Sequence, residues 1–256
     1  MKIVACIKAV PEEQDITVKP DGTLDLSKAE LKVGQYDLNA VEAAVQIKEA
    51  TGGEEPIIVT VGTAHGLKNT KLQKAMLSRG AGALFGVAED TLDTIDSYAT
   101  ARNLAAAINK IGGVDLVLCG EGSGDIYSQQ VGPILGQLLG FVNLNAVSKI
   151  IPQGDKLQVE RTLENEIEVL EIPLPAVLSV TTDINQARIP GLKDILAAGK
   201  KPVTLWGAAD MEITKESSIE IVSTLVPPLV ERQQIVLAGD SEEDLDALFE
   251  NLRKAL

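Results

Sequence analysis

The stretch Cys119–Gly140, CGEGSGDIYSQQVGPILGQLLG, holds the residues best suited to chemistry. Gly120, Gly122 and Gly124 stand at alternate positions, followed by Asp125, by Ser128, Gln129 and Gln130, and by an apolar run from Val131. Glycines lack a Cβ, so backbone amides there can close on a ligand. Hydroxyl and amide side chains at a helix start, with the unpaired amides of the first turn, suit a phosphate. The pattern is neither of the two common phosphate loops. Its glycines fall before the helix rather than opening it, and no Gly-Lys-Ser/Thr follows. Alternate glycines after a strand also make plain tight turns, and Asp125 also reads as an Asx-type turn residue.

Little else in the chain could carry chemistry. The single histidine, His65, rules out schemes needing two histidines. Cys6 and Cys119 each lie inside an apolar run and make neither a metal-ligand spacing nor a disulfide framework, which fits a reducing cytoplasm. With no credible nucleophile-base pair, an ordinary enzyme is disfavoured. A redox role would have to borrow its centre from a cofactor. The net charge of -14 argues against nucleic acid, whose phosphates need a basic face, and against anionic lipid. The opening MKIVACIKAV reads as a first strand rather than a signal peptide, and no apolar run approaches the roughly 18 residues of a membrane span.

A Rossmann-like, doubly wound parallel α/β sheet would position the glycine loop. Lys2–Val10 predicts a strand covered on both faces, and Ile16–Leu26 a hairpin about Pro20-Asp21-Gly22. Asp37 opens a helix that Gly52-Gly53 ends. Pro56–Val61 predicts a strand, Leu67–Arg79 a helix closed by Gly80, Gly82–Ala88 a strand, Asp93–Ile111 a helix, and Val114–Cys119 the most apolar strand. This alternation implies a parallel sheet with the ligand crevice at the carboxyl ends of its strands. Val131, Ile134, Leu135, Leu138 and Leu139 share one face of the next helix.

Beyond Gly140 the rhythm changes. Leu157–Arg161 and Ile167–Glu171 alternate as an antiparallel extension, and Ala176–Thr181 is another buried strand. Thr182–Pro202 predicts a surface excursion with a short helix at Leu192–Ala198. We place the main domain at 1–204 and a C-terminal arm at 205–256. The arm carries Val222–Val230, Gln234–Leu237 and a final helix from Ser241, capped with Asp244, whose Leu245, Leu248, Phe249 and Leu252 form an apolar stripe that packs on the main domain or, the favoured reading, on another chain.

At this point the loop resembles a known family. Gly120, Asp125 and then Gln130-Val131-Gly132 are similar to the nucleotide-binding loop of electron transfer flavoprotein beta subunits. The resemblance covers essentially the whole chain. It includes Val4–Val10 with Lys8, Gln35-Tyr36-Asp37 before the first helix, Val61-Gly62, Val159-Glu160-Arg161 and Ile172–Val177. It implies an adenine nucleotide touching Cys6 through backbone, Gln35, Tyr36, Asp37, Val61, and Gly120 through Val131. Within that loop lie Gly122, Ser123, Gly124, Asp125, Tyr127, Ser128, Gln129 and Gln130, with Asp125 as anchoring carboxylate.

The resemblance further implies an FAD shared with an alpha subunit, and electrons passed from flavin dehydrogenases of the acyl-CoA type to a quinone or ferredoxin acceptor. Two departures stand out: Gly34-Gln35 replaces the family's frequent Asn-Pro, and Val131 replaces a frequent hydroxyl residue. Gln-Val-Gly-Pro also occurs in electron-bifurcating members with a second FAD where others hold AMP, so AMP and FAD both stay open. Arg188–Lys201 is similar to the loop by which the family docks on dehydrogenases, with Leu192 as anchor; the alternative is that Leu192 faces its own core. A competing reading from another class is a universal-stress-type ATP-binding domain, which leaves the tail after Leu205 unexplained.

Overall fold

A computed structural model of the chain describes residues 1–228, 234–239 and 241–255. Strand β1 (Ile3–Ile7) is buried at every position, as an apolar run covered on both faces must be. It ends at Ile7 rather than Val10, because the Lys8 amide is taken by Asp37 instead of a neighbouring strand. The next residues form β2 (Ala9–Pro11), and the expected hairpin forms as β3 (Thr17–Val18) with β4 (Leu24–Asp25). Strand β5 (Leu31–Val33) pairs back on β2. Helix α1 (Gln35–Thr51) starts two residues before Asp37, with Gly34 at its N-cap, and Gly52 at φ 67° ends it.

After β6 (Ile57–Gly62) the single helix expected over Leu67–Arg79 is two, α2 (Ala64–Leu67) and α3 (Thr70–Leu77). Asn69 divides them: its Oδ1 accepts from the amides of Lys71 and Leu72 and starts the second helix. Strand β7 (Ala83–Ala88) precedes α4 (Ser97–Ile111), which begins four residues later than expected because Asp96 caps it through the Ala99 amide. Then come β8 (Leu116–Gly120) and α5 (Val131–Leu139). Strand β9 (Val142–Gln153) was not expected, since its asparagines, serine and lysine dilute the apolar signal. Strands β10 (Lys156–Thr162) and β11 (Ile167–Pro173) make the antiparallel extension with it, followed by β12 (Ala176–Val180), α6 (Leu192–Ala198), β13 (Val203–Trp206) and α7 (Glu242–Ala255).

Nine of these strands form one sheet in the order β11-β10-β9-β12-β8-β1-β6-β7-β13. It is parallel from β9 and β12 through to β13 and antiparallel only at β9-β10-β11. Side-chain parity divides the core. Ile3, Ala5 and Ile7 of β1, with Leu116 and Leu118 of β8, pack against Val41, Ala44 and Val45 of α1. Val4, Cys6, Val117 and Cys119 face the other way, onto Leu104 and Ile108 of α4 and Leu135 of α5. Helices thus cover both faces, the doubly wound arrangement. In α5 the buried face is Gly132, Leu135 and Gly136, while Leu138, expected inward, is exposed.

The boundary expected between 204 and 205 falls inside β13, which pairs with β7 as the sheet edge. Beyond it Met211 and Ile213 still pack on the core. Thr214 exchanges two hydrogen bonds with the Asn103 side chain, each 2.8 Å, and Val226 donates to the Gly22 carbonyl at 3.0 Å. The end of the Val222–Val230 run lies outside the described residues. In α7 the Ser241 Oγ accepts from the Asp244 amide at 3.2 Å, and the stripe Leu245, Leu248, Phe249 and Leu252 is exposed. Among the described residues no helix is long and apolar enough to cross a membrane.

Candidate functional site

Chain order and sheet order diverge at β1. From β1 the chain moves to β6 and β7 on one side, then returns through α4 to β8 on the other. The crevice of a doubly wound sheet opens at that switch point, outside the carboxyl ends of β1 and β8. Lys8 and Gly120 stand at those two ends.

Asp37, in the first turn of α1, ties the ends together. Its Oδ2 accepts from the Lys8 amide at 2.7 Å, and the nearby Gly120 amide favours the ionised carboxylate. Burial pushes this carboxyl up to about 7, against the pull of those two amides and the nearby Lys8 charge. A Cβ at Gly120 would lie 2.7 Å from Tyr36 Cβ and 2.8 Å from Asp37 Oδ1, so only glycine lets β8 end against the helix start. Asp37 is therefore a clamp on the crevice floor.

Asp125 closes the loop over the crevice. Lys8 Nζ donates to both its oxygens, at 2.8 and 2.7 Å. Burial works against ionising this carboxyl, but the Lys8 and Ser123 hydrogen bonds outweigh it and hold it below its ordinary value. Its Oδ1 also takes the Ile126 amide at 2.9 Å, so anchor and turn roles coexist. Tyr127 and Gln129 then adopt φ of 51° and 56°, the left-handed region that costs a non-glycine residue. Tyr127 stacks at a tilt on Tyr36, ring centroids 5.2 Å apart, and its ring fills the space a side chain at Gly122 would need. Desolvation, and then Glu121 beside it, push the Tyr127 phenol up to about 12, so it stays protonated.

The start of α5 is open. Gln130 at its N-cap makes no side-chain capping bond and Pro133 has no N–H, so the amides this turn offers a ligand are those of Val131 and Gly132. Ser128 Oγ lies 3.0 Å from Ser97 Oγ, so two helix starts converge on this hydroxyl pair. The helix can press this close to the sheet because Gly132 packs against Ser179 Oγ and Gly136 against Asn143, where any side chain would collide. Free amides, hydroxyls and a glycine cradle suit a phosphate group.

The structure brings together Tyr36, Asp37, Gly120, Gly122, Ser123, Asp125, Tyr127 and, across from Ser97, Ser128. Gln35 lies exposed at the first position of α1, while Gly124 approaches the Glu13 carboxylate. Gln129 donates to the Tyr127 hydroxyl at 3.4 Å, and Val131 packs onto the α4 side of the core. Val61 is at the end of β6. Cys6 is buried below the crevice with its side chain toward α4, and a hydrogen bond with Cys119, then desolvation, raise its thiol well above the ordinary range. Lys8 had only a family echo in the sequence, and Ser97 and Ser179 had no signal. Leu192, at the start of α6, is 75% exposed, so it does not face the chain's own core. With Leu196, Ala197, Lys193 and Lys200 it lines a shallow surface groove.

The family model of the electron transfer flavoprotein domain matches residues 21–211, more than half of the chain. The match spans the glycine loop, the crevice helices α1 and α5 and the segment bearing Leu192. It does not favour the universal-stress-type reading.

Proposed function

The chain belongs to the electron transfer flavoprotein family, and from that premise we propose that it is the beta-type subunit of a heterodimer. In this reading the chain, with an alpha subunit, carries electrons from flavin dehydrogenases of the acyl-CoA type to a quinone or ferredoxin acceptor in the cytoplasm. When bound between the subunits, FAD supplies the redox chemistry. This chain walls that pocket and holds an adenine nucleotide of its own, AMP or a second FAD, in the Gly120–Val131 cradle.

The observation that carries the reading is the uncapped start of α5 at the β1–β8 switch point, beneath a glycine loop. There the α5 amides and the Ser128 hydroxyl would hold phosphate oxygens. Lys8 and Asp125 would keep the loop shut, and Tyr36 and Tyr127 would keep water from one side of the cradle. Leu192, exposed on α6, would anchor the dehydrogenase, and the α7 stripe would pack on the alpha subunit.

Co-expression with an alpha-type subunit tests this. A yellow heterodimer is expected, and counting flavin and AMP released on denaturation distinguishes one FAD plus AMP from two FAD. A colourless monomer that hydrolyses ATP would sink the reading. Leu192→Ala should weaken coupling to a dehydrogenase while flavin content stays intact.

A further inference from the structure

Helix α1 carries the candidate nucleotide site at one end and grips the Leu192 segment along its flank. Past Asp37, Asn39 Nδ2 donates to the carbonyls of Asn185 and Thr182 at 2.8 and 3.3 Å, and Asn185 Nδ2 returns a bond to the Asn39 carbonyl at 3.0 Å. Arg188 forks onto two carboxylates. Its Nε and Nη2 meet Glu42 at 2.7 and 3.1 Å, and its Nη1 and Nη2 meet Glu49 at 2.9 and 3.2 Å. Glu42 Oε2 also takes the Arg188 amide at 3.1 Å, so side chain and backbone are held together.

The Glu42 side chain is only 6% exposed, and a charge so placed needs its partner. Burial alone would raise this carboxyl, yet the Arg188 bonds outweigh it and hold it below its ordinary value. Immediately after Arg188 the chain turns outward, leaving Ile189 92% and Leu192 75% exposed. At the far foot Lys201 Nζ donates to the carbonyls of Ala81 and Leu77, at 2.6 and 3.3 Å. Between these feet only Ala198 is buried, against the core, while Ile189, Leu192, Ile195 and Leu196 face solvent, so the start of the segment gains little order from burial of its own. A segment ordered before docking loses less conformational freedom on docking.

We propose that Arg188 is a positioning residue for partner docking: its double fork onto Glu42 and Glu49 orders residues 189–200 in advance, so that Leu192 meets its partner already in place. The inference rests on the docking reading of Leu192. A looser segment lowers the docking-competent fraction, which raises the apparent KM for the partner and leaves turnover at saturation unchanged.

The test uses the heterodimer reduced by an acyl-CoA dehydrogenase. It compares Arg188→Lys with the pair Arg188→Met and Glu42→Gln, which removes the fork without stranding a buried charge, and takes Leu192→Ala as reference. The double variant should raise KM roughly tenfold, as expected when the competent fraction falls to about a tenth, at unchanged kcat and flavin content. Tryptic cleavage after Lys193 should quicken, and Arg188→Lys should recover part of both effects. If Leu192→Ala raises KM and the double variant does not, the anchor proposal is overturned and the docking reading stands. If kcat and flavin content fall as KM rises, Arg188 serves the fold alone and the proposal is likewise overturned. If Leu192→Ala leaves KM unchanged, the docking reading itself fails, and this inference with it.

Discussion

Lys8, the first residue past β1, clasps both carboxylate oxygens of Asp125, 117 positions later, at 2.7 and 2.8 Å. The pair locks the glycine loop across the crevice, yet side-chain exposures of 43% and 24% leave it within reach of solvent. An ion pair so placed contributes about 0–1 kcal/mol to stability. Lys8→Met should therefore hardly move the urea midpoint, while nucleotide recovered from the purified heterodimer falls and the 121–130 loop becomes readily cleaved by protease. An unchanged nucleotide content would remove Lys8 from the site.

Asp37 should give the fold a pH dependence of unusual sign for a carboxylate. Burial raises its folded value from 3.8 to about 7. Below the unfolded value both states are protonated and its contribution is fully present; as pH rises toward 7 the unfolded chain releases its proton first. Stability should fall across that window and level off above it. Asp37→Asn should flatten the slope in urea titrations between pH 4 and 7, and a slope that persists would assign it to other groups.

Gly132 is required by contact rather than by backbone conformation. A Cβ there would collide with Ser179 Oγ on β12. Gly132→Ala should cost about 1–3 kcal/mol, the usual penalty of an overpacked core. Adding Ser179→Ala removes the obstructing oxygen and should restore most of the loss in thermal melts. Without that rescue, the close approach of α5 to the sheet is not the reason for the glycine.

The α7 stripe should matter between chains and little within this one. Leu248 is 45% and Phe249 66% exposed. Leu248→Asp with Phe249→Ser should stay within about 0.5 kcal/mol of the parent in chemical denaturation, as exposed substitutions do. Gel filtration of the co-expressed pair should show the heterodimer dissociating. A heterodimer of undiminished affinity would place the alpha contact elsewhere.

Much of the fold was legible because burial pattern is local. The unbroken apolar run at Ile3–Ile7 declared a doubly covered strand, and the alternation at Ile167–Glu171 declared a strand, though its apolar Ile167 and Val169 face solvent at 62% and 56% exposure. Strand β9 escaped because its polar residues find partners only in the fold, Asn143 against Gly136 of α5 and Ser148 at the Glu160 carbonyl, which its one-dimensional pattern cannot distinguish from a loop. The glycine loop was legible for a similar reason, since Gly120 and Gly122 announce close approach wherever they occur. What they approach, Tyr36 and Tyr127, was not.

By itself, then, the sequence determined most strands of the parallel core, the ends of α1 and α4, the limits of α6 and the presence of a backbone-lined loop ahead of α5. All of these follow from side-chain periodicity and from residues that lack a Cβ or a partner within a few positions. Only the tertiary structure decided which charges meet: Lys8 with Asp125, Arg188 with Glu42 and Glu49, and the Asp37 carboxylate with the amides at the ends of β1 and β8. The physical reason is topological. A sheet that returns past β1 to lay down β8 sets distant stretches of chain side by side, and an ion pair has no preferred spacing in sequence through which to announce itself.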